Sequence, residues 1–581
     1  VELNPRITGR IEYEDYVVER VYYQVYPNIY ASGYNYLPKA AVGQLPAEGR
    51  MRYPSILNPH GHWAGGAVHP TVQMRLIGLA KKGYVAFCPD STHVTNFPLG
   101  LSPIGQMTWN NIRALDYLQS LACVDGDRLG CTGASGGGQQ TMYLAALDER
   151  VKVAVPAVLV SYFRRILFAT EATHCFCNHV PGIEAFTDEP EMAAMIAPRP
   201  TLFICATGDW TREFPKAEFP EIQHIFNLVG GPTQCVQFDK PHNYDRDSRE
   251  QMYAWMNQYL RGTNTPDLAR EADFKPEPPE RLLALGKLPE NYCGMEGASN
   301  YYQTQFLFKA PKLTDRPAWI DYLKEWRLTL ASLLGESAEN HPQKAQSRGR
   351  FDIAGIAGEK WLLETEPSVS VPLWMFSSGV GQPTAAVILT HPEGKQGLLR
   401  DRGPLIKTLI ENRILVIAVD TRMRGELLRN WHLNELIWGR PEDGIAAHDL
   451  SSVARWLRTR PEVHPSQIMV VGFGEAGLSA LYAAALDVRL AGAAIEDIGP
   501  LFQEGRTGNL VANILRHGDI SQVAALVAPR ALWINGKNEA YPFTAGAFSA
   551  FHQAGRYLAT QKAPSEFAAA LVGWVKENSR E

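Results

Sequence analysis

Residues Asp125–Gly138 read DGDRLGCTGASGGG: a short apolar run, Leu129–Thr132, breaks into a glycine-rich corner with a serine at its centre. Gly133-Ala134-Ser135-Gly136-Gly137 fits G-x-S-x-G. The pentapeptide alone is weak, because Gly and Ser are common. Its setting strengthens it, since a strand-like run precedes it and a helical stretch, Gln139–Leu147, follows. A strand–turn–helix corner of this kind pushes the serine hydroxyl out at the carboxyl end of a sheet. Glycines flank it because side chains there would collide with neighbouring backbone. The helix N-terminus behind the serine favours developing negative charge.

Outward from this corner, short apolar runs alternate with helical patterns, the signature of a mostly parallel sheet covered by helices. Strands are expected at Ser55–Pro59, Val85–Cys88, Leu129–Thr132, Val153–Val158 and Thr201–Ala206. Helices are expected at Thr108–Leu121, with Ile112, Leu115 and Leu118 on one face, and at Ser248–Leu260, with Met252, Trp255, Met256 and Tyr259.

A serine hydroxyl needs a base to become a nucleophile. The chain order for this type of corner is serine, acid, histidine. Asp209, in ATGDWTREFP, follows one expected strand, and His242, in DKPHNYD, precedes the closing helix. The catalytic set is read as Ser135, Asp209 and His242, with Asp188 as the alternative acid. An oxyanion hole needs two backbone N–H groups. They are assigned to Gly136 and to His62, in the loop His60-Gly61-His62-Trp63. Trp63, Trp210 and Tyr244 are the candidate substrate-binding residues, with Phe214 also flanking the proposed site.

Two other motifs compete for attention. HCFCNH, His174–His179, holds Cys and His side chains suited to zinc, but they are packed too densely for the usual spaced pairs. A pocket-lining loop is the preferred reading, with no metal and no cofactor expected. Gly472-x-Gly474-x-x-Gly477 mimics a dinucleotide fingerprint.

An internal repeat accounts better for that second motif. Val387–Lys395 parallels Ser55–Trp63, Ile414–Arg422 parallels Gly83–Ser91, His464–Gly477 parallels Asp125–Gly138, and Leu526–Gly536 parallels Met195–Cys205, all in one order. The chain is too long at 581 residues for a single core. We therefore expect a catalytic domain over 1–261, a linker with a helical segment over 262–350, and a degenerate copy over 351–581. Within the linker, Pro276, Pro278 and Pro279 break regular structure, Pro317–Leu334 forms an amphipathic helix, and Ser337–Arg350 is a mobile connection. In the copy Gly474 stands where Ser135 does, and no histidine follows His552, so a non-catalytic domain is expected.

Composition is that of a folded protein, 45% hydrophobic and 20% charged, with net charge −5. No basic stripe suggests nucleic-acid binding, and no apolar run suggests a membrane span. The 8 cysteines, none beyond Cys293, are too sparse for a disulfide scaffold. Cys88, Cys131 and Cys205 are expected as buried thiols. Val1 in place of a start methionine points to removal of a leader or to trimming. A secreted or periplasmic location is the first expectation and a cytoplasmic one the second.

On the residues NPHGHW (Asn58–Trp63), GASGGG (Gly133–Gly138), APRP (Ala197–Pro200), ATGDW (Ala206–Trp210) and PHNY (Pro241–Tyr244), the first half resembles the α/β-hydrolase superfamily. More narrowly it is similar to bacterial acetyl-xylan-esterase-like hydrolases. With the internal repeat, the expected fold is tandem α/β-hydrolase domains, and the resemblance implies a Ser-His-Asp esterase that needs no cofactor. It also implies small acyl or carbohydrate esters as substrates. Glucuronoyl esterases are related but carry Arg and Lys beside the serine, where this chain has Ala134, Gly136 and Gln139. A serine peptidase and a non-enzymatic binding or scaffold protein are the remaining alternatives.

Overall fold

The computed structural model describes residues 1–42, 52–168, 175–336, 344–353, 355–377, 384–428, 434–505, 510–536 and 541–579. Five apolar runs of the first half form strands, β4 being shifted two residues earlier than expected and the others longer than expected by one to seven residues: β4 (Tyr53–Leu57), β5 (Val85–Pro89), β6 (Val124–Ala134), β7 (Val151–Ala157) and β8 (Thr201–Gly208). They read as runs because helices cover both faces of the sheet, so successive side chains are all buried. Every residue of β4 and β5 is buried. Four further strands alternate in polarity and escape a search for apolar runs: β1 (Arg6–Glu12), β2 (Tyr16–Tyr26), β3 (Ile29–Pro38) and β9 (Thr233–Pro241).

The nine strands lie in the order β1-β2-β3-β5-β4-β6-β7-β8-β9. The β1-β2-β3-β5 pairings are antiparallel and those from β5 through β9 are parallel. One core lies between this sheet and two helices, Pro70–Lys81, which supplies Leu76 and Leu79, and Arg246–Arg261, which supplies Met252, Tyr253 and Met256. The helix predicted over Thr108–Leu121 spans Pro103–Ser120, begins at a Ser102 cap, and buries Leu115 and Leu118.

The second sheet repeats this topology strand for strand. Its members are β10 (Lys344–Ile353), β11 (Ile356–Glu366), β12 (Val369–Phe376), β13 (Thr384–Thr390), β14 (Leu415–Val419), β15 (Val463–Phe473), β16 (Gly492–Glu496), β17 (Ala531–Asn535) and β18 (Tyr557–Thr560). Their order is β10-β11-β12-β14-β13-β15-β16-β17-β18. A side-chain detail repeats as well. Arg199 donates to the carbonyls of Ala145, Asp148 and Val151, and Arg530 to those of Ala484, Asp487 and Leu490. The fold is a tandem pair of α/β-hydrolase-type sheets.

The chain divides into two units, Val1–Asn96 with Leu101–Gln303, and Phe97–Gly100 with Thr304–Glu581. The proline-rich stretch after Arg261 is thus ordered as part of the first unit, where Ala269, Leu282 and Leu285 enter the core. Its anchor is a buried pair. Arg249 Nε and Nη2 donate to the two Glu271 oxygens at 2.6 Å each, and Tyr253 donates to Oε2. Removing the carboxylate would strand a buried guanidinium, so Glu271→Ala is expected to destabilise the first unit by about 3–5 kcal/mol. Denaturant unfolding checks this, and an unchanged midpoint would mean the segment contributes nothing to that fold.

In the second unit the helix expected over Pro317–Leu334 spans Arg316–Leu333 and buries Trp319, Leu323, Trp326 and Leu330. The expectation of a mobile connection over Ser337–Arg350 is partly corrected: residues 344–350 are strand β10, and 337–343 lie outside the described residues. All eight cysteines are free thiols, and Cys88, Cys131 and Cys205 are buried. No helix among the described residues is long and apolar enough to cross a membrane.

Candidate active site

Strand β6 ends at Ala134 and the helix Gly136–Leu147 begins two residues later, so Ser135 alone makes the turn. Its backbone is at φ 58° and ψ −127°, a region that non-glycine residues rarely occupy. Such strain persists only where surrounding structure enforces it, and it concentrates at functional sites. Here the enforcement is close backbone packing. A Cβ at Gly133 would lie 2.4 Å from the Gly137 carbonyl oxygen and 2.6 Å from that of Pro59. The Ser135 N–H is held by the Ala157 carbonyl of β7 at 3.0 Å.

The loop after β4 sits directly on this corner. A side chain at Gly61 would come within 2.7 Å of the Ala134 carbonyl oxygen and 3.3 Å of Ser135 Cβ. His60 fixes the loop. Its Nε2 accepts from the Ser91 N–H at 3.0 Å and its Nδ1 meets the Gly61 carbonyl at 2.8 Å. Burial pushes the His60 imidazole below its ordinary pKa, so the ring is neutral and Nδ1 carries the proton. Gln140, on the helix after Ser135, donates to the His60 and Gly136 carbonyls. These bonds hold the two proposed oxyanion donors, Gly136 and His62, on adjoining segments.

Asp209 directly follows β8, and His242 directly follows β9. His242 Nδ1 and Asp209 Oδ2 are 2.7 Å apart. The other carboxylate oxygen, Oδ1, accepts from the Thr211 N–H at 2.7 Å and the Thr211 hydroxyl at 2.6 Å. Asp209 is nearly buried while His242 keeps about a quarter of its surface exposed. Asp188, the alternative acid, is committed elsewhere: it caps the helix Glu189–Ala194 and accepts from the Phe163 N–H. Ser135, Asp209 and His242 all lie just past the carboxyl ends of strands β6, β8 and β9, which run parallel in one sheet.

The aromatic candidates separate. Trp210 packs on His242 with ring centres 4.7 Å apart, and its Nε1 donates to the Leu159 carbonyl. Trp63 stacks on His69 and is half-buried. Tyr244 is corrected: it has no exposed surface, its hydroxyl bonds Thr132 at 2.7 Å, and the Arg75 guanidinium lies over its ring. Burial pushes its hydroxyl up to about 12. It is a core residue, although it stands only two positions past His242.

The HCFCNH segment does more than line a pocket. Its first histidine, His174, lies outside the described residues. Cys175 and Cys177, however, meet His62 and His93, with one ligand atom from each lying within 4.8 Å of all the others. The neighbouring Cys177, with His62 and His93, draws the Cys175 thiol well below its usual pKa, and the bond to Cys175 raises that of His62. Sequence reading missed this because the histidine pair stands on two loops far from the cysteines.

In the second unit the corner keeps its shape without its serine. Gly474 turns at φ 53°, and its N–H is held by the Glu496 carbonyl at 2.8 Å. At the start of the helix Gly394–Glu411, which follows β13, Lys395 is buried and bonds Asp420 and Glu426. At the ends of β17 and β18, Asn535 bonds Thr560 and both the N–H and the carbonyl of Lys562.

Residues 107–182, which contain the Ser135 corner, match the acetyl xylan esterase (AXE1) family model. Over 107 residues the chain is 36% identical to "Putative hydrolase YtaP" of Bacillus subtilis (strain 168), covering 18% of this chain and 36% of that protein's length. Among solved structures, methylesterase BT1017 is 23% identical at TM-score 0.42, covering 56% of this chain and 71% of its own. A glucuronoyl esterase from Teredinibacter turnerae T7901 is 14% identical at TM-score 0.37, covering 47% and 88%. By its topology the first unit has an α/β-hydrolase-type fold, and over residues 107–182 it is similar to the acetyl xylan esterases.

Proposed function

We propose that the first unit is a serine esterase that hydrolyses short-acyl esters, acetyl groups on plant polysaccharide being the foremost class. The observation that carries this reading is a strained serine corner on the same sheet edge as a hydrogen-bonded Asp209–His242 pair. Ser135 Oγ attacks the ester carbonyl while His242 Nε2 takes its proton. The oxygen that becomes negative is met by the N–H groups of Gly136 and His62. As the tetrahedral adduct collapses, His242 returns the proton to the leaving alcohol, and an acyl-serine remains. Water then repeats the sequence and releases the acid. Asp209 holds the imidazole in the tautomer whose Nε2 is free to accept. The match to the acetyl xylan esterase family over residues 107–182 supports the acyl class. Trp63 and Trp210 are the proposed walls for a sugar ring, and a polysaccharide substrate favours a location outside the cytoplasm.

The second unit is proposed to be non-catalytic, a buttress or a substrate-binding module. Gly474 at its corner has no hydroxyl, and its strand ends are closed by the Lys395 and Asn535 networks.

The test combines a fluorophosphonate probe with p-nitrophenyl esters from acetate to octanoate and acetylated xylan. Labelling at Ser135 and cleavage falling with acyl length are expected. Absence of labelling in the folded protein would leave a binding protein instead. Amide cleavage as fast as ester cleavage would make it a peptidase.

A further inference from the structure

Three loops surround the Ser135 corner, and one side-chain cluster joins them. His62 comes from the loop after β4, His93 from the loop after β5, and Cys175 and Cys177 from the segment after β7. His62 Nε2 lies 2.8 Å from His93 Nε2 and 3.7 Å from Cys177 Sγ. Among the described residues, this is the group of three or more potential ligands whose donor atoms all fall within 4.8 Å of one another. We propose that these four side chains bind one thiophilic divalent cation of the zinc class.

The donor set and spacing both fit. A tetrahedral zinc with bonds of about 2.3 Å to sulfur and 2.0–2.1 Å to nitrogen separates its ligand atoms by about 3.3–3.8 Å. The sulfur–nitrogen separation already has that value, and the two imidazole nitrogens need move apart only by about half an ångström. Two thiolates and two neutral imidazoles are soft-to-borderline donors, which select against magnesium and calcium. In the loaded site both cysteines are thiolates and both imidazoles neutral, so any protons these four side chains hold pass to solvent and the site carries no net charge.

Supporting residues are in place. Gln139, on the helix that follows Ser135, donates to the Cys177 carbonyl and to Asn178 Oδ1. Ile104 and Met107 pack beneath Cys177. With four protein ligands the site is closed, as structural zinc sites are, and offers the ester no open position. Its effect is mechanical. The His62 ring lies against Gly136, where a Cβ would come within 2.9 Å of it. A cation there ties the His62 backbone to the corner. The binding site stands independently of the esterase reading; only its role in steadying the oxyanion loop rests on that reading.

The experiment is metal analysis of untagged full-length protein purified without chelator, followed by cobalt(II) titration of the stripped protein. About one zinc per chain is expected, and cobalt should give a thiolate charge-transfer band with intense tetrahedral d–d bands. His93→Ala and Cys177→Ser should each weaken cobalt binding by more than about 100-fold while the circular dichroism spectrum is retained. Protein that is metal-free as purified and gives no cobalt spectrum overturns the proposal. So does a Cys175–Cys177 disulfide, seen as two thiols missing from the titration of unreduced protein. Fluorophosphonate labelling of Ser135 in the same samples reads the esterase proposal separately, so either can fail alone.

Discussion

Ser135→Ala should lower kcat/KM for an acetyl ester by about 10⁴–10⁶-fold and abolish fluorophosphonate labelling. The size follows from what disappears. Without Oγ there is no acyl-enzyme, and His242 has no hydroxyl to deprotonate. What persists is transition-state binding by the Gly136 and His62 N–H groups. Stability should change by less than about 0.5 kcal/mol, because alanine meets the same steric penalty at φ 58° that serine does. That control matters: activity lost with the fold intact assigns the chemistry to one atom. Retained activity would move the nucleophile elsewhere and remove the basis of the proposed mechanism.

Asp209→Asn should cost about 10⁴-fold in kcat, close to the effect of a full deletion of the acid, although the change is nearly isosteric. Thr211 supplies the reason. Its N–H and hydroxyl both donate to Oδ1, so an asparagine would turn its carbonyl toward Thr211 and its NH₂ toward His242. The imidazole must then accept at Nδ1 and carry its proton on Nε2. In that tautomer it cannot take a proton from Ser135. The added change Thr211→Val removes the hydroxyl donor and loosens this choice, so the double variant should recover part of the loss. Steady-state kinetics of the three proteins checks the argument. An Asp209→Asn enzyme within tenfold of wild type would sink it.

What could be read before any coordinates divides along physical lines. Strands β4 to β8 were legible because double-sided burial makes them continuous apolar runs. Strands β1 and β9 were not, because a strand exposed on one side alternates: Arg6–Glu12 and Thr233–Pro241 contain no run of apolar residues. The proposed site was drawn from the places where chemistry and corner coincide, at Gly133–Gly137 and at the strand-end loops of Asp209 and His242. Tyr244 was misread because proximity in sequence to His242 says nothing about direction once the backbone turns. The His62–His93–Cys175–Cys177 cluster was illegible for a different reason. Its pairing exists only after β4, β5 and β7 have brought three loops to one edge.

The two corners of this chain also form a matched pair. Ser135 and Gly474 make the same turn, at φ 58° and φ 53°, but only glycine makes it without steric cost. A non-glycine residue in such a region costs on the order of 1–3 kcal/mol, and nothing in folding rewards keeping it. In the second unit that load is absent, and a buried Lys395–Asp420 ion pair stands at the start of the helix that follows β13. In the first it has been carried. The chain thus holds a tensioned spring in one unit and the same spring released in the other, and the tension is kept in the copy that has a hydroxyl to aim.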